Sequence, residues 1–263
     1  MSREHAEYIK KIKANRFLIK ITQAIILIAL FILWELSARA KIIDPFIFSQ
    51  PSRMAKTLAE MLTAGTLFTH IGITLLETII GFTVSTVLGT LISIALWWNK
   101  FAEKVFNPYL VVLNSLPKTA LAPIIIVWIG NNINSVIVTA VMTSIIVTIL
   151  SVLTGFLEVD KDKIKLIYAF GGTKKHVLQK VILPASIPII MSALKINVGL
   201  SFVGVMVGEF LVAKEGLGYL IVYGSQIFKM DWVMLSILIL CALAGIMYQL
   251  VVLIEKKFIA NKF

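Results

Sequence analysis

The stretch nearest to a chemical motif is Gly171-Gly172-Thr173-Lys174, which sets glycine, hydroxyl and ammonium in a row, the residue types that cradle a phosphate. The phosphate loop has the pattern G-x-x-x-x-G-K-[ST], and its first glycine is missing here at the required spacing. The chain therefore offers no means of its own to consume ATP. No His, Asp or Glu cluster has metal-ligand spacing, and no nucleophile stands with a base. The single cysteine, Cys241, cannot make a disulfide or a thiolate metal site within one chain and reads as a packed apolar thiol. These residues do not describe an enzyme. What they do offer is charge in apolar surroundings, since Glu77, Lys118, Lys195 and Glu209 all fall within long apolar runs. A charge at mid-membrane costs about 2.5–3.5 kcal/mol on insertion scales, so it is kept where it faces a cavity, a partner or a solute path. Lys118, between Pro117 and Pro123, belongs to a broken segment whose freed carbonyls can line such a path. Asn114, Ser115, Asn197 and Ser201 are milder candidates for the same lining, with polar helix packing as their alternative. Lys195 can also snorkel to the inner surface. Glu209 can gate the outer mouth or bond neighbouring backbone amides.

The elements that must position these groups are membrane spans. Of the 263 residues, 59% are hydrophobic and only 15% are charged, with a mean hydropathy of +0.93. That excludes an ordinary soluble domain. Crossing about 30 Å of hydrocarbon takes about 20 residues of helix. Six runs are long enough: about 17–38, 71–98, 105–129, 133–157, 187–213 and 231–254. Backbone groups in lipid must be satisfied within the segment, and these lengths exceed those of barrel strands, so the spans are helical. The first, with Trp34 and Glu35 near its outer end and no small-residue cleavage pattern, is not a cleavable signal. The net charge of +11 is distributed as an orientation signal rather than a nucleic-acid surface. Seventeen of the 25 basic residues fall on one face, including Arg3, Lys100, six lysines of 158–186 and Lys262, against six on the other. This puts both termini in the cytosol.

The chain divides into an interfacial N-terminal segment (1–16), a first span with its outer loop (17–67), a transmembrane domain (68–255) and a cytosolic tail (256–263). The N-terminal segment rests on the anionic inner leaflet. In the outer loop, Met54, Leu58, Met61 and Leu62 recur at helical spacing before Gly65, predicting a short helix that lies on the outer membrane surface or caps the bundle. His70 reads as an interface histidine, and the connections at 99–104 and 130–132 are too short to hold a site. The loop 158–186 differs from the rest. It gives a basic helix, the break at Gly171-Gly172, a second basic helix with Val177, Leu178, Val181 and Ile182 as its apolar stripe, then Leu183-Pro184 opening the fifth span. Two short helices at an angle make a knob suited to a groove on a soluble protein, with an interfacial re-entrant turn carrying snorkelling lysines as the alternative.

That loop resembles the cytosolic loop of the permease subunits of ABC importers, E-A-A-x3-G-x9-I-x-L-P. Gly171 stands at its glycine, Val181 at its isoleucine and Leu183-Pro184 at its closing pair, while Lys165, Leu166 and Ile167 replace the opening triplet. Three further stretches are similar to the nitrate/sulfonate/taurine-type branch, which includes importers of thiamine-precursor pyrimidines and riboflavin. They are Leu116-Pro117-Lys118-Thr119-Ala120-Leu121-Ala122-Pro123 with Trp128-Ile129-Gly130, Gly208-Glu209-Phe210 with Gly216-Leu217-Gly218-Tyr219, and Gly65-Thr66-Leu67 after the outer-loop prolines. The similarity spans about 45–255.

The resemblance implies an all-α protein with six transmembrane helices and the type I ABC importer permease fold, in a bacterial plasma membrane. It implies a homodimer, two ATPase subunits and an extracytoplasmic solute-binding protein, with no cofactor in this chain and with ATP and Mg bound by the ATPase. The ATPase-coupling residues would be Gly171, Gly172, Thr173, Lys174, Lys175, Val177, Leu178, Val181, Leu183 and Pro184, with Gly171 a hinge. The translocation path would draw on Asn114, Ser115, Lys118, Asn197, Ser201, Glu209 and Glu77. The cargo would be a small sulfonate-, taurine- or nitrate-like solute, or a vitamin-precursor pyrimidine or flavin. An ion-coupled secondary carrier is the alternative, but such a carrier has no use for the 161–184 knob.

Overall fold

A computed structural model describes residues 3–260; the last residues of the expected tail, with Lys262, lie outside the described residues. In chain order the helices are α1 (Arg3–Arg39), α2 (Pro45–Phe48), α3 (Pro51–Thr63), α4 (Thr66–Trp98), α5 (Lys100–Ser115) and α6 (Ala122–Ile129). They continue with α7 (Ile133–Leu157), α8 (Lys161–Ala169), α9 (Lys174–Val177), α10 (Leu183–Val212), α11 (Leu217–Gln226) and α12 (Met230–Ala260). Among the described residues there is no strand.

Five helices, α1, α4, α7, α10 with its lead-in, and α12, are each long and apolar enough to cross a membrane. The sixth expected span, 105–129, is α5 and α6 meeting at 90°. Its breaking point is chemical. Pro117 has no N–H to donate and drives Leu116 out of the helical region, to ψ 138°. A 3-10 turn, Lys118–Leu121, then leads into α6, which carries Pro123 in its first turn.

The core is α7 packed between α4 and α10. It is built inside out relative to a soluble protein. Between Leu67 and Leu96, buried near its two ends, the buried positions of α4 are Thr74, Glu77, Thr78, Gly81, Ser85, Gly89 and Ser93, a stripe of small and polar residues spaced mostly three or four apart. Lipid tails are as apolar as leucine, so helices gain little by hiding leucines and associate by close backbone approach instead. The glycines show how close. A Cβ at Gly208 would lie 2.9 Å from Val136 Cα, and one at Gly81 2.8 Å from Ala140 Cβ. The hydroxyls mostly turn back on their own helix, as Thr78 does to Thr74 O (2.7 Å). Ser93 Oγ also reaches Ile149 O (3.0 Å), and Ser186 Oγ reaches Gly155 O (3.1 Å), stitching the helices together.

The predicted outer helix is α3, and it does cap the bundle. Met54, Thr57 and Met61 are its buried face, whereas Leu62 points away. Met61 packs with Leu67, Leu217, Leu220 and Leu235. Two acids fasten the outer loop. Asp231 at the start of α12 accepts from Ser49 Oγ (2.6 Å) and pairs with Arg53 (2.8 Å), and Glu35 of α1 accepts from Ser52 N (3.0 Å) at the α3 N-terminus. Elsewhere α1 stands apart, with no residue of its apolar window buried. An apolar groove of about 670 Å³ lies along it, lined by Leu27, Phe31, Leu36 and Pro51 among others. Cys241, expected to be packed, is exposed on α12. In a helix apolar on every side, nothing in the sequence distinguishes the face that meets protein from the face that meets lipid.

Candidate functional site

Glu209 sits on α10 one turn from its end and is 1% exposed. Its carboxyl accepts from Thr74 Oγ1 (2.6 Å) and from the Gly218 backbone N–H at the start of α11. Thr74 in turn accepts from Leu217 N (2.8 Å), and His70 Nδ1 accepts from Gly216 N (3.0 Å). Gly216 is required here, because its φ is +116° and a Cβ would collide with the Glu209 carboxyl. Three α10–α4 side chains thus grip the first turn of α11, and a carboxylate at a helix N-terminus is favourably placed. Of the two roles read for Glu209 in the sequence, the structure displays the bonding of backbone amides. His70 also stacks on Tyr219, so it fastens α4 to α11.

Glu77 lies one turn further along α4, with its carboxyl against that of Glu209, and is 2% exposed. It lines a cleft of about 400 Å³ with Ile73, Asn131, Val136, Val212 and Lys214. The 130–132 connection, too short by its length to hold a site, supplies part of this rim through Asn131 and Asn132. Asn132 is committed to local structure: Oδ1 caps α7 through the N–H groups of Asn134 and Ser135, and Nδ2 donates to Ile129 O.

Among the described residues, the buried side-chain polar atoms without a hydrogen-bond partner are Glu77 Oε2, Asn197 Oδ1 and Ser201 Oγ. All three belong to the path candidates. Asn197 Nδ2 donates to Thr148 Oγ1 (2.7 Å) and Thr86 Oγ1 (3.1 Å), tying α10 to α7 and α4, with Ser201 one turn on. Asn114, Ser115 and Lys118 are elsewhere, at the α5–α6 corner. Asn114 and Ser115 are exposed, and Lys118 donates to Asn114 Oδ1 (3.2 Å). The seven path candidates therefore form three separate groups within one chain. Lys195 pairs with Glu255, near the C-terminal end of α12, at 2.6 Å, both side chains part-buried.

The loop between α7 and α10 forms the expected elbow. Asp160 caps α8 by accepting from Asp162 N (2.8 Å). Gly171 ends α8 at φ +76°, with its N–H on Tyr168 O (2.9 Å) and the Gly172 N–H on Ile167 O (2.8 Å), the Schellman pattern. A Cβ on Gly172 would collide with Ile167. Thr173 N then donates to His176 Nδ1 (3.1 Å) at the start of α9. A π-helical turn, Leu178–Ile182, carries the chain into α10, with Pro184 in its first turn.

The elbow has an inner and an outer side. Val177 and Ile182 are fully buried with Val152, Phe156 and Ala193, while Leu178, Val181 and Leu183 pack partly against that cluster. Val177 therefore holds the elbow to the bundle from inside and offers no surface for docking. Lys174 Nζ lies 5.5 Å from the ring centroids of both Trp97 and Trp98 and donates to Trp98 O, binding the elbow to the end of α4. Lys175 is exposed. Away from that cluster Leu166 and, one turn on at the end of α8, Phe170 are 55% and 82% exposed, while Tyr168 borders a cleft with Trp97, Lys174 and Val177 on the bundle side. Tyr168 was not among the sequence candidates; its signal is an aromatic residue on a short, strongly charged helix.

Residues 85–259 match the family described as binding-protein-dependent transport system inner membrane component. A formylaminopyrimidine transport permease protein of Halalkalibacterium halodurans is 35% identical over 191 residues, which is 72% of this chain and 75% of that protein. A putative aliphatic sulfonates transport permease protein of Bacillus subtilis is 24% identical over 225 residues, 86% of this chain and 82% of that one. The fold is similar to that of a chain in an inward-facing structure of the MetNI methionine ABC transporter, with TM-score 0.64 and 19% identity over 73% of this chain and 95% of that chain. A chain of an amino acid ABC transporter with histidines gives TM-score 0.62 and 16% identity over 76% of this chain and 97% of that one.

Proposed function

This chain belongs to the binding-protein-dependent transport system inner membrane components, and on that premise we propose that two copies form the membrane pathway of an ATP-driven importer in a bacterial plasma membrane. It is a multi-pass permease subunit with the type I ABC importer permease fold. A separate ATPase subunit binds ATP and Mg and docks on residues 161–184; this chain itself carries no cofactor and does no catalysis. The observation that carries the reading is the exposed pair Leu166 and Phe170 on an elbow whose other side is locked into the bundle. Two such side chains in water beside lysines are unfavourable unless a partner covers them.

The locking explains how a push is transmitted. Closure of the two ATPase subunits on ATP drives the elbows together. Lys174 carries that movement to α4, and Val177 and Ile182 carry it to α7 and α10. The core helices then rock as a unit from inward-open to outward-open, and hydrolysis resets them. The path lies between the copies. Lys118 is half-buried at the α5–α6 corner, where Val127 and Trp128 of α6 are exposed, and a lysine in an apolar span faces protein or water far more cheaply than hydrocarbon. An extracytoplasmic binding protein delivers a small solute to the outer mouth, of the sulfonate, taurine, nitrate, pyrimidine or flavin type.

The test is reconstitution. Proteoliposomes holding this chain with its ATPase subunit should take up solute only with ATP, and Phe170→Glu combined with Leu166→Glu should abolish co-purification of the ATPase while leaving membrane insertion intact. Solute flux by the purified chain alone would overturn the reading.

A further inference from the structure

The crevice on the bundle side of the elbow lies where three helices of the bundle meet the cytosolic loop. We propose that it holds the phosphate headgroup of an anionic lipid of the inner leaflet, gripped by Lys100 and Lys174, with the acyl chains running out along α5, whatever the solute imported.

Five elements meet there. Trp97 comes from the last turn of α4, Lys100 and Glu103 from the first turn of α5, Leu157 from the end of α7, Tyr168 from α8 and Lys174 from α9. They enclose about 290 Å³, near the lower end of the range for ligand sites and room for a headgroup rather than a whole lipid. Since α4 ends at Trp98 and α5 begins at Lys100, the crevice stands at headgroup depth, the level that tryptophans and lysines favour on the cytosolic side. Its charge is unbalanced. The ion pairs among the described residues include neither lysine. Lys174 Nζ spends one hydrogen on Trp98 O and rests against the rings of Trp97 and Trp98, which leaves it two donors. Glu103, the one acid of the lining, answers the N-terminus of α5. A phosphodiester offers acceptor oxygens to both ammonium groups in charge-assisted hydrogen bonds. The apolar remainder of the lining, with Leu96, Ile164 and Val177, suits the glycerol end of a lipid better than a hydrated phosphate ion. Phe101, next to Lys100, and Val105, one turn on, are exposed and give the acyl chains an apolar face. Leu166 and Phe170, which meet the ATPase on the reading above, are not part of the lining, so lipid and ATPase do not compete. A lipid so placed joins α4 and α5 to the elbow.

The test is native mass spectrometry of the purified full chain in detergent, titrated with dioleoylphosphatidylglycerol and with dioleoylphosphatidylcholine, which share phosphate and chains and differ in net charge. The first lipid bound should favour phosphatidylglycerol by about fivefold, the worth of one lysine at an anionic surface. Lys100→Gln should erase most of that preference and Lys100→Arg keep it, while Lys56→Gln, in an exposed pair on α3, should change nothing. No preference in the wild type, or one undiminished in Lys100→Gln, overturns the proposal. Should Lys100→Gln fail to fold, a photoreactive phosphatidylglycerol decides on the wild type: it should label the peptide that holds Lys100, and labelling confined to other segments overturns the site. Competition by soluble glycerophosphoglycerol at equal concentration marks a free-phosphate site, and loss of the lipid when the ATPase subunit is added marks a protein contact; either overturns the lipid.

Discussion

Glu209 and Gly216 fit one another so closely that neither is free to change. Gly216→Ala places a methyl group against the carboxyl at a backbone angle that L-residues avoid. Glu209→Ala removes the acceptor for Thr74 and Gly218. Each is expected to lower stability by about 1–3 kcal/mol, read as a fall in Tm of the purified chain, with Glu209→Gln milder because it still accepts. Lys195 and Glu255 make a second residue-scale prediction. Lys195→Ala leaves Glu255 only 18% exposed without its cation, so Tm should fall, and the double exchange Lys195→Glu with Glu255→Lys should recover most of the loss. The sequence marks Lys195 and Glu209 as unusual because an ionisable group in an apolar run is visible without any fold. It does not reveal Glu255 as the partner, since those two residues meet only when α10 and α12 pack.

At the scale of elements, the elbow is the most legible part of the chain, because its glycines, caps and charges act locally. Gly171→Val puts a branched side chain at φ +76° and should cost about 1–2 kcal/mol at the α8 terminus. ATP-driven uptake and ATPase stimulation are expected to fall while membrane insertion persists; undiminished uptake would show that the geometry of this turn is not transmitted. Gly171 acts here as the residue that ends α8, so its role as a hinge remains a matter for that experiment. The spans were equally readable, because hydrocarbon thickness dictates their lengths. Their packing faces were not, since leucine contrasts with water and not with lipid. The stripe Thr74–Thr78–Gly81–Ser85–Gly89–Ser93 is the signal that identifies the inner face of α4. On α3 the same difficulty appears in small: Thr57 turns in and Leu62 turns out. The corner at Pro117 was foreshadowed by its prolines, though not its right angle.

For the whole molecule, the three separate groups of path candidates fit the proposal that one chain is half of the machine. On that proposal Lys118 and Asn114 face a second copy, whereas Asn197 ties the core helices together and Glu77 borders its own cleft. Val127→Cys in a Cys241→Ser background is expected to cross-link to its own copy when oxidised in native membranes, detected as a dimer on a denaturing gel, and its absence would remove the α5–α6 face from the dimer contact. The detached first helix has a consequence of another kind. A trough lined by Leu27, Phe31, Leu36 and Pro51 is not left empty in a bilayer. Acyl chains are expected to fill it, which would make the surrounding lipid a structural component on the same footing as a side chain. Stripping that lipid with a short-chain detergent should loosen the strap between Glu35 and Ser52 and leave the long first span swinging, and nanodiscs should restore it.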